Sequence, residues 1–98
     1  MISTTLTLEQ SSRFDEELSA IVDFIALDNP RRALEFFDKL IFKIKDIPHN
    51  PYIHRQRKSS HSENTRELIY KGYTIPFYID SDAQKVIILG IFNQNIWE

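Results

Sequence analysis

Cysteine is absent from this 98-residue chain. That excludes a disulfide framework, a thiolate metal site and a cysteine nucleophile, and it makes a reducing cytoplasm the natural compartment. No apolar stretch approaches the roughly 18 residues that a membrane helix needs. No basic segment followed by an apolar run opens the chain, so a signal peptide is not expected. Internal repeats and low-complexity tracts are missing, and no pattern calls for a cofactor. Positive charge is in short supply too: 12 Lys and Arg face 14 Asp and Glu, for a net charge of −2 and a pI near 5.9. Tight binding to a nucleic acid calls for a clear positive excess, because phosphate neutralisation supplies most of that affinity.

What is present fits one domain over residues 1–98 with one modest core. The apolar fraction is 42%, with seven Phe and four Tyr, which is the composition of a folded globule and not of a disordered chain. Charge is unevenly spread. Residues 1–48 hold nine acids against six Lys and Arg, whereas residues 49–72 hold Arg55, Arg57, Lys58, Arg66 and Lys71 against Glu63 and Glu67. All three histidines, His49, His54 and His61, fall in that basic middle segment. Such a patch points to an anionic partner or to a solvated loop.

Ile2, Thr4, Leu6 and Leu8 alternate with polar residues, the pattern of a short half-buried strand. Ser11 or Ser12 offers an N-cap, and Asp15, Glu16 and Glu17 suit the positive end of a helix dipole. Phe14, Leu18, Ile21, Val22 and Ile25 then form one helical stripe, ending near Leu27 or Asp28. Asn29-Pro30 is a cap followed by a proline preorganised for the first helical position. A second stripe follows through Ala33, Phe36, Phe37, Leu40, Ile41 and Ile44, and Pro48 closes it. These two amphipathic helices make an αα-hairpin.

Residues 49–64 show no period and read as a long loop, of the kind that is functional or mobile. Three strands follow at about 65–71, 73–80 and 85–93, with turns at Lys71-Gly72 and at Ser81–Gln84. Pro76 cannot donate to a central ladder and requires a bulge or an edge. The expected fold class is α+β: a short N-terminal strand, an αα-hairpin, then a three-stranded antiparallel meander with the helices on one face of the sheet.

This order resembles the RelE/ParE superfamily, the toxins of bacterial type II toxin–antitoxin pairs. The resemblance runs over nearly the whole chain. Residues 17–25, Asp28-Asn29-Pro30 with Ala33 and Phe36, Arg66-Glu67-Leu68, residues 72–80 and residues 86–92 each resemble a segment of that family. It implies a small growth-arresting toxin held inactive by a cognate antitoxin. RelE-like members cleave mRNA on the ribosome, and ParE-like members bind and poison DNA gyrase without a hydrolytic site of their own.

Metal-free RNA cleavage needs an activated 2′-hydroxyl, a neutralised phosphorane and a protonated leaving oxygen. The nuclease branch looks to place an Arg directly after the Gly-Tyr of the middle strand, and an Arg, Tyr or His near the C-terminus. Here Thr74 follows Gly72-Tyr73, and residues 93–98 hold no Arg, Lys, His or Tyr. The remaining candidates for catalysis are Arg66, Lys71 and His61. For target binding they are Arg55, Arg57, Lys58 and Trp97. Arg66 has a structural alternative, pairing with an acid such as Asp80. Phe24, Phe37 and Trp97 are either anchors for an antitoxin or members of the core.

Three functions stay open: a ParE-like toxin that binds a protein target, with gyrase implied by the resemblance; a RelE-like endoribonuclease acting on or off the ribosome; and a degenerate member that only binds its partner. The absence of two expected catalytic groups favours the first.

Overall fold

The computed structural model describes residues 6–57 and 63–93. Ile2, Thr4, Lys58, His61 and Trp97 lie outside the described residues. Strand β1 spans Thr7–Gln10, helix α1 Ser12–Asp28 and helix α2 Pro30–Asp46. Two single-turn 3-10 helices follow, Ile47–His49 and Pro51–Ile53, and then strands β2 (Arg55–Gln56), β3 (Thr65–Tyr70), β4 (Tyr73–Asp80), β5 (Lys85–Ile88) and β6 (Phe92–Asn93).

Local chemistry sets the helix ends. Ser11 caps α1, its hydroxyl oxygen accepting from the Phe14 N–H at 3.1 Å. Asn29 serves twice: its N–H donates to the Ile25 carbonyl at the end of α1, and its side-chain oxygen accepts from the Arg32 N–H at the start of α2. The expected stripes are only partly buried. Phe14 and Leu18 of α1 and Ala33, Phe36, Leu40 and Ile44 of α2 enter the core. Phe24, at 72% exposure, and Phe37, at 39%, do not, so the core reading of these two is corrected.

The sheet runs β1-β5-β4-β3-β2, with β6 paired to β4. All pairings are antiparallel except β1 with β5, which is parallel. The hairpin packs on one face, where Ile75, Phe77, Ile79, Val86 and Ile88 meet the helical stripes. Burying an aromatic such as Phe77 completely contributes roughly 1.5–3 kcal/mol. The β3–β4 turn is tight, with positive φ at Lys71 (49°) and Gly72 (85°), the geometry of a two-residue hairpin.

The long loop was too simple a reading of residues 49–64. Pro48 and Pro51 each start a 3-10 turn, a place where their missing N–H costs nothing. Arg55 and Gln56 then pair with Glu67 and Arg66. A two-residue strand is too short to show a period, so sequence pattern could not find it.

The last strand is interrupted. Phe77 pairs with Ile88 and Thr74 with Phe92, so Ile75 and Pro76 face three residues, Leu89, Gly90 and Ile91. This is the bulge that Pro76 requires. Its polar groups find partners in α1 and its cap. The Ser11 hydroxyl donates to the Leu89 carbonyl at 3.0 Å, and the Ile91 N–H donates to Glu17 Oε1 at 3.0 Å. A Cβ at position 90 would stand 2.6 Å from Glu17 Oε1, so a larger residue would push that carboxylate off the Ile91 N–H. Among the described residues no helix is long and apolar enough to cross a membrane.

Candidate functional site

Cross-strand partners project to the same face of a sheet. The register therefore gathers Glu67, Ile69, Thr74, Pro76 and Phe92 on the face opposite the hairpin. Arg55 joins them through its pairing with Glu67. This is the face on which the middle-strand position after Gly72-Tyr73 lies, and hence the candidate site.

Thr74 is 3% exposed and lies between Ile69 and Phe92 in the register. It offers a neutral hydroxyl, and its burial keeps that hydroxyl from a substrate phosphate. The nearest cations are turned to another task. Glu67 is 7% exposed, and Arg55 Nε donates to its Oε2 at 2.6 Å while Arg57 Nη1 donates to its Oε1 at 3.0 Å. A buried carboxylate is tolerated only when paired in this way. Arg57 also stacks over the Phe92 ring, 5.2 Å from its centroid, closing the layer above Thr74's cross-strand partner.

Arg66 points the other way. Its Nε donates to the Glu63 carbonyl at 3.0 Å and its Nη1 to the His54 carbonyl at 3.1 Å. The guanidinium lies 5.3 Å from the Tyr52 ring centroid. The structural alternative for Arg66 is thus met by backbone carbonyls and an aromatic ring, not by Asp80. Asp80 instead accepts from the Ala83 N–H and closes the β4–β5 turn. Arg66 pins the 3-10 segment to the sheet.

His54 packs edge-on against Phe77, with ring centroids 5.4 Å apart. Burial lowers its pKa below the usual histidine value, against a smaller opposing pull from Asp46. Lys71 stands exposed in the β3–β4 turn, at the far end of β3 from Arg66. The structure therefore does not bring Arg66 and Lys71 into one constellation, and His61 lies outside the described residues. No group of three His, Asp or Glu side chains is placed to hold a metal among the described residues.

Sequence reasoning missed Glu67 as the hub of the arginines. It reads as one more polar residue alternating along β3, and only the pairing of β2 shows what it faces. A second feature is the seam between hairpin and sheet. There Phe24, Ile25, Leu27, Phe36 and Tyr73 line an open hollow of about 550 Å3, with Phe24 and Leu27 largely exposed.

A family model described as the ParE toxin of the type II toxin–antitoxin system parDE matches residues 8–96. Among solved structures, a chain from the chromosomal ParDE system of P. aeruginosa superposes with a TM-score of 0.74 at 21% identity, covering 93% of this chain and 98% of that one. A chain of the toxin–antitoxin complex RelBE2 from Mycobacterium tuberculosis superposes with a TM-score of 0.60 at 16% identity, covering 94% of each. At these identities the two structures establish a shared fold. No curated protein matches the chain in sequence. With the family model spanning nearly every described residue and the hairpin-on-sheet architecture shared with both structures, this chain belongs to the ParE toxin family of type II toxin–antitoxin systems.

Proposed function

We propose that this toxin arrests growth by binding a protein target, DNA gyrase, and that it does so without cutting RNA. The observation that carries this reading is the burial of Thr74 at the position where cleavage would need an exposed cation. Arg55 and Arg57 on the same face are committed to Glu67, which leaves little positive field there for a phosphorane. The net charge of −2 is consistent with a protein target and poorly matched to ribosomal RNA. In this reading Arg55 and Arg57 form the rim of the target-binding face, with Lys58 and Trp97 as further contacts.

A cognate antitoxin is the second element of the proposal. The structural relatives are described as a ParDE system and a RelBE2 toxin–antitoxin complex, which supports such a partner here. The hollow beside Phe24 and Leu27 has the form that receives the apolar face of an amphipathic helix.

Inducible expression, with plasmid supercoiling and mRNA integrity followed together, tests the reading. Lost supercoiling or broken DNA with intact mRNA is the expected result. Rapid mRNA cleavage that Arg66→Ala or Lys71→Ala abolishes would overturn it in favour of a RelE-like nuclease. No growth effect at all would favour a degenerate member that only binds its partner.

A further inference from the structure

Between α2 and the β3–β4 turn lies a second hollow of about 400 Å3, which meets the one beside Phe24 at Lys71. It is lined by Asp38, Lys39, Phe42, Lys43, Tyr70 and Lys71. Its charge is lopsided: three ammonium groups share it with one carboxylate. None of the three lysines is ion-paired among the described residues. Like charges gathered on one wall repel unless an anion joins them.

Its floor is apolar. Phe42 is 76% exposed, near the C-terminal end of α2. The Tyr70 ring is flanked by Lys43 and Lys71, whose Nζ atoms stand 5.9 and 5.8 Å from its centroid. Tyr70 itself is 7% exposed, and its buried hydroxyl has no hydrogen-bond partner among the described residues. The hydroxyl is enclosed by the fold, so the ring, and not the oxygen, is what Tyr70 offers to the cleft.

We propose that this cleft docks an acidic protein segment carrying a large apolar side chain. The apolar side chain covers Phe42 and the Tyr70 ring. Flanking carboxylates meet Lys39, Lys43 and Lys71. A nucleic-acid strand fits less well, because Asp38 and the preceding Glu35 place carboxylates along the same helix and the chain is net negative. The inference does not depend on whether gyrase or RNA is the toxin's target.

The test is calorimetric titration of the full chain with a short synthetic peptide of Glu and Leu residues. The same peptide with Gln for Glu and a short single-stranded DNA serve as comparisons. The acidic peptide should bind, and the Gln peptide should bind more weakly by about tenfold or more, the scale of one or two lost charge-assisted bonds. Lys43→Glu with Lys71→Glu should abolish measurable binding while leaving thermal unfolding unchanged, since both side chains are exposed. The proposal fails if the acidic peptide does not bind, if the Gln peptide or the DNA binds as well, or if the double charge reversal leaves binding intact.

Discussion

Arg55 and Arg57 on the open face of the sheet and Lys39, Lys43 and Lys71 beside α2 carry the same sign of charge and meet opposite circumstances. The arginines converge on a carboxylate that is almost fully buried, within 2.6 and 3.0 Å of its oxygens. The lysines converge on an exposed phenylalanine and a tyrosine ring, with no acid paired to them among the described residues. Arg55 and Arg57 hold strand β2 to strand β3, and their charge is largely answered inside the fold. The lysine cleft leaves its charge to be answered from outside. A cluster of basic residues in a sequence is thus either a structural clamp or a docking site, and the position of the nearest carboxylate decides which.

That contrast can be broken by removing the carboxylate. Glu67→Ala should destabilise the fold by about 2–3 kcal/mol, less than the roughly 3–5 kcal/mol of a fully buried pair because Arg55 is largely exposed. Lys43→Ala should change stability by no more than about 0.5 kcal/mol, as surface substitutions do. Urea unfolding of the two variants side by side gives both numbers. Equal effects would erase the distinction between clamp and docking site.

A second carboxylate sharpens the comparison. Glu17 satisfies the Ile91 N–H at the bulge opposite Pro76, and a side chain at position 90 would collide with it. Gly90→Ala should cost about 1–2 kcal/mol, the scale of a buried donor left unpaired. In a Glu17→Ala background the cost should shrink, because the same hydrogen bond cannot be lost twice. A fully additive pair of substitutions would show that Glu17 is not what Gly90 makes room for.

The smallest expected effect lies next to the Arg66 anchor. His54 is held neutral by burial, its pKa lowered in the fold. An unfolded chain takes up that proton more readily, so the stability His54 contributes is present above pH 6.5, the usual value, and is lost as the pH falls through the folded pKa. Unfolding measured at pH 7.5 and at pH 5.5 should show a loss on acidification that His54→Gln reduces.

Much of the architecture was legible because it follows from local rules. The stripes of Phe14-Leu18 and Phe36-Leu40-Ile44 fixed which helix faces enter the core, Asn29-Pro30 placed the hairpin link, and Pro76 required a bulge. Strand β2, the bulge partners and the role of Glu67 were not legible. Each depends on contacts between residues far apart in the chain, such as Glu17 with Ile91, that leave no period and no cap to read. The site was harder still. Thr74 could be seen to replace a cation, but its burial could not. That Arg55 and Arg57 share Glu67 as a partner could not be seen either, because Glu67 looked like ordinary strand polarity.

The most direct test of the central claim is a reconstituted gyrase supercoiling assay with the purified toxin and no RNA present. Inhibition of supercoiling that persists in Arg66→Lys, a substitution that keeps the charge near the loop carbonyls, is the predicted result. Supercoiling at the uninhibited rate, together with cleavage of ribosome-bound mRNA by the same preparation, would contradict it.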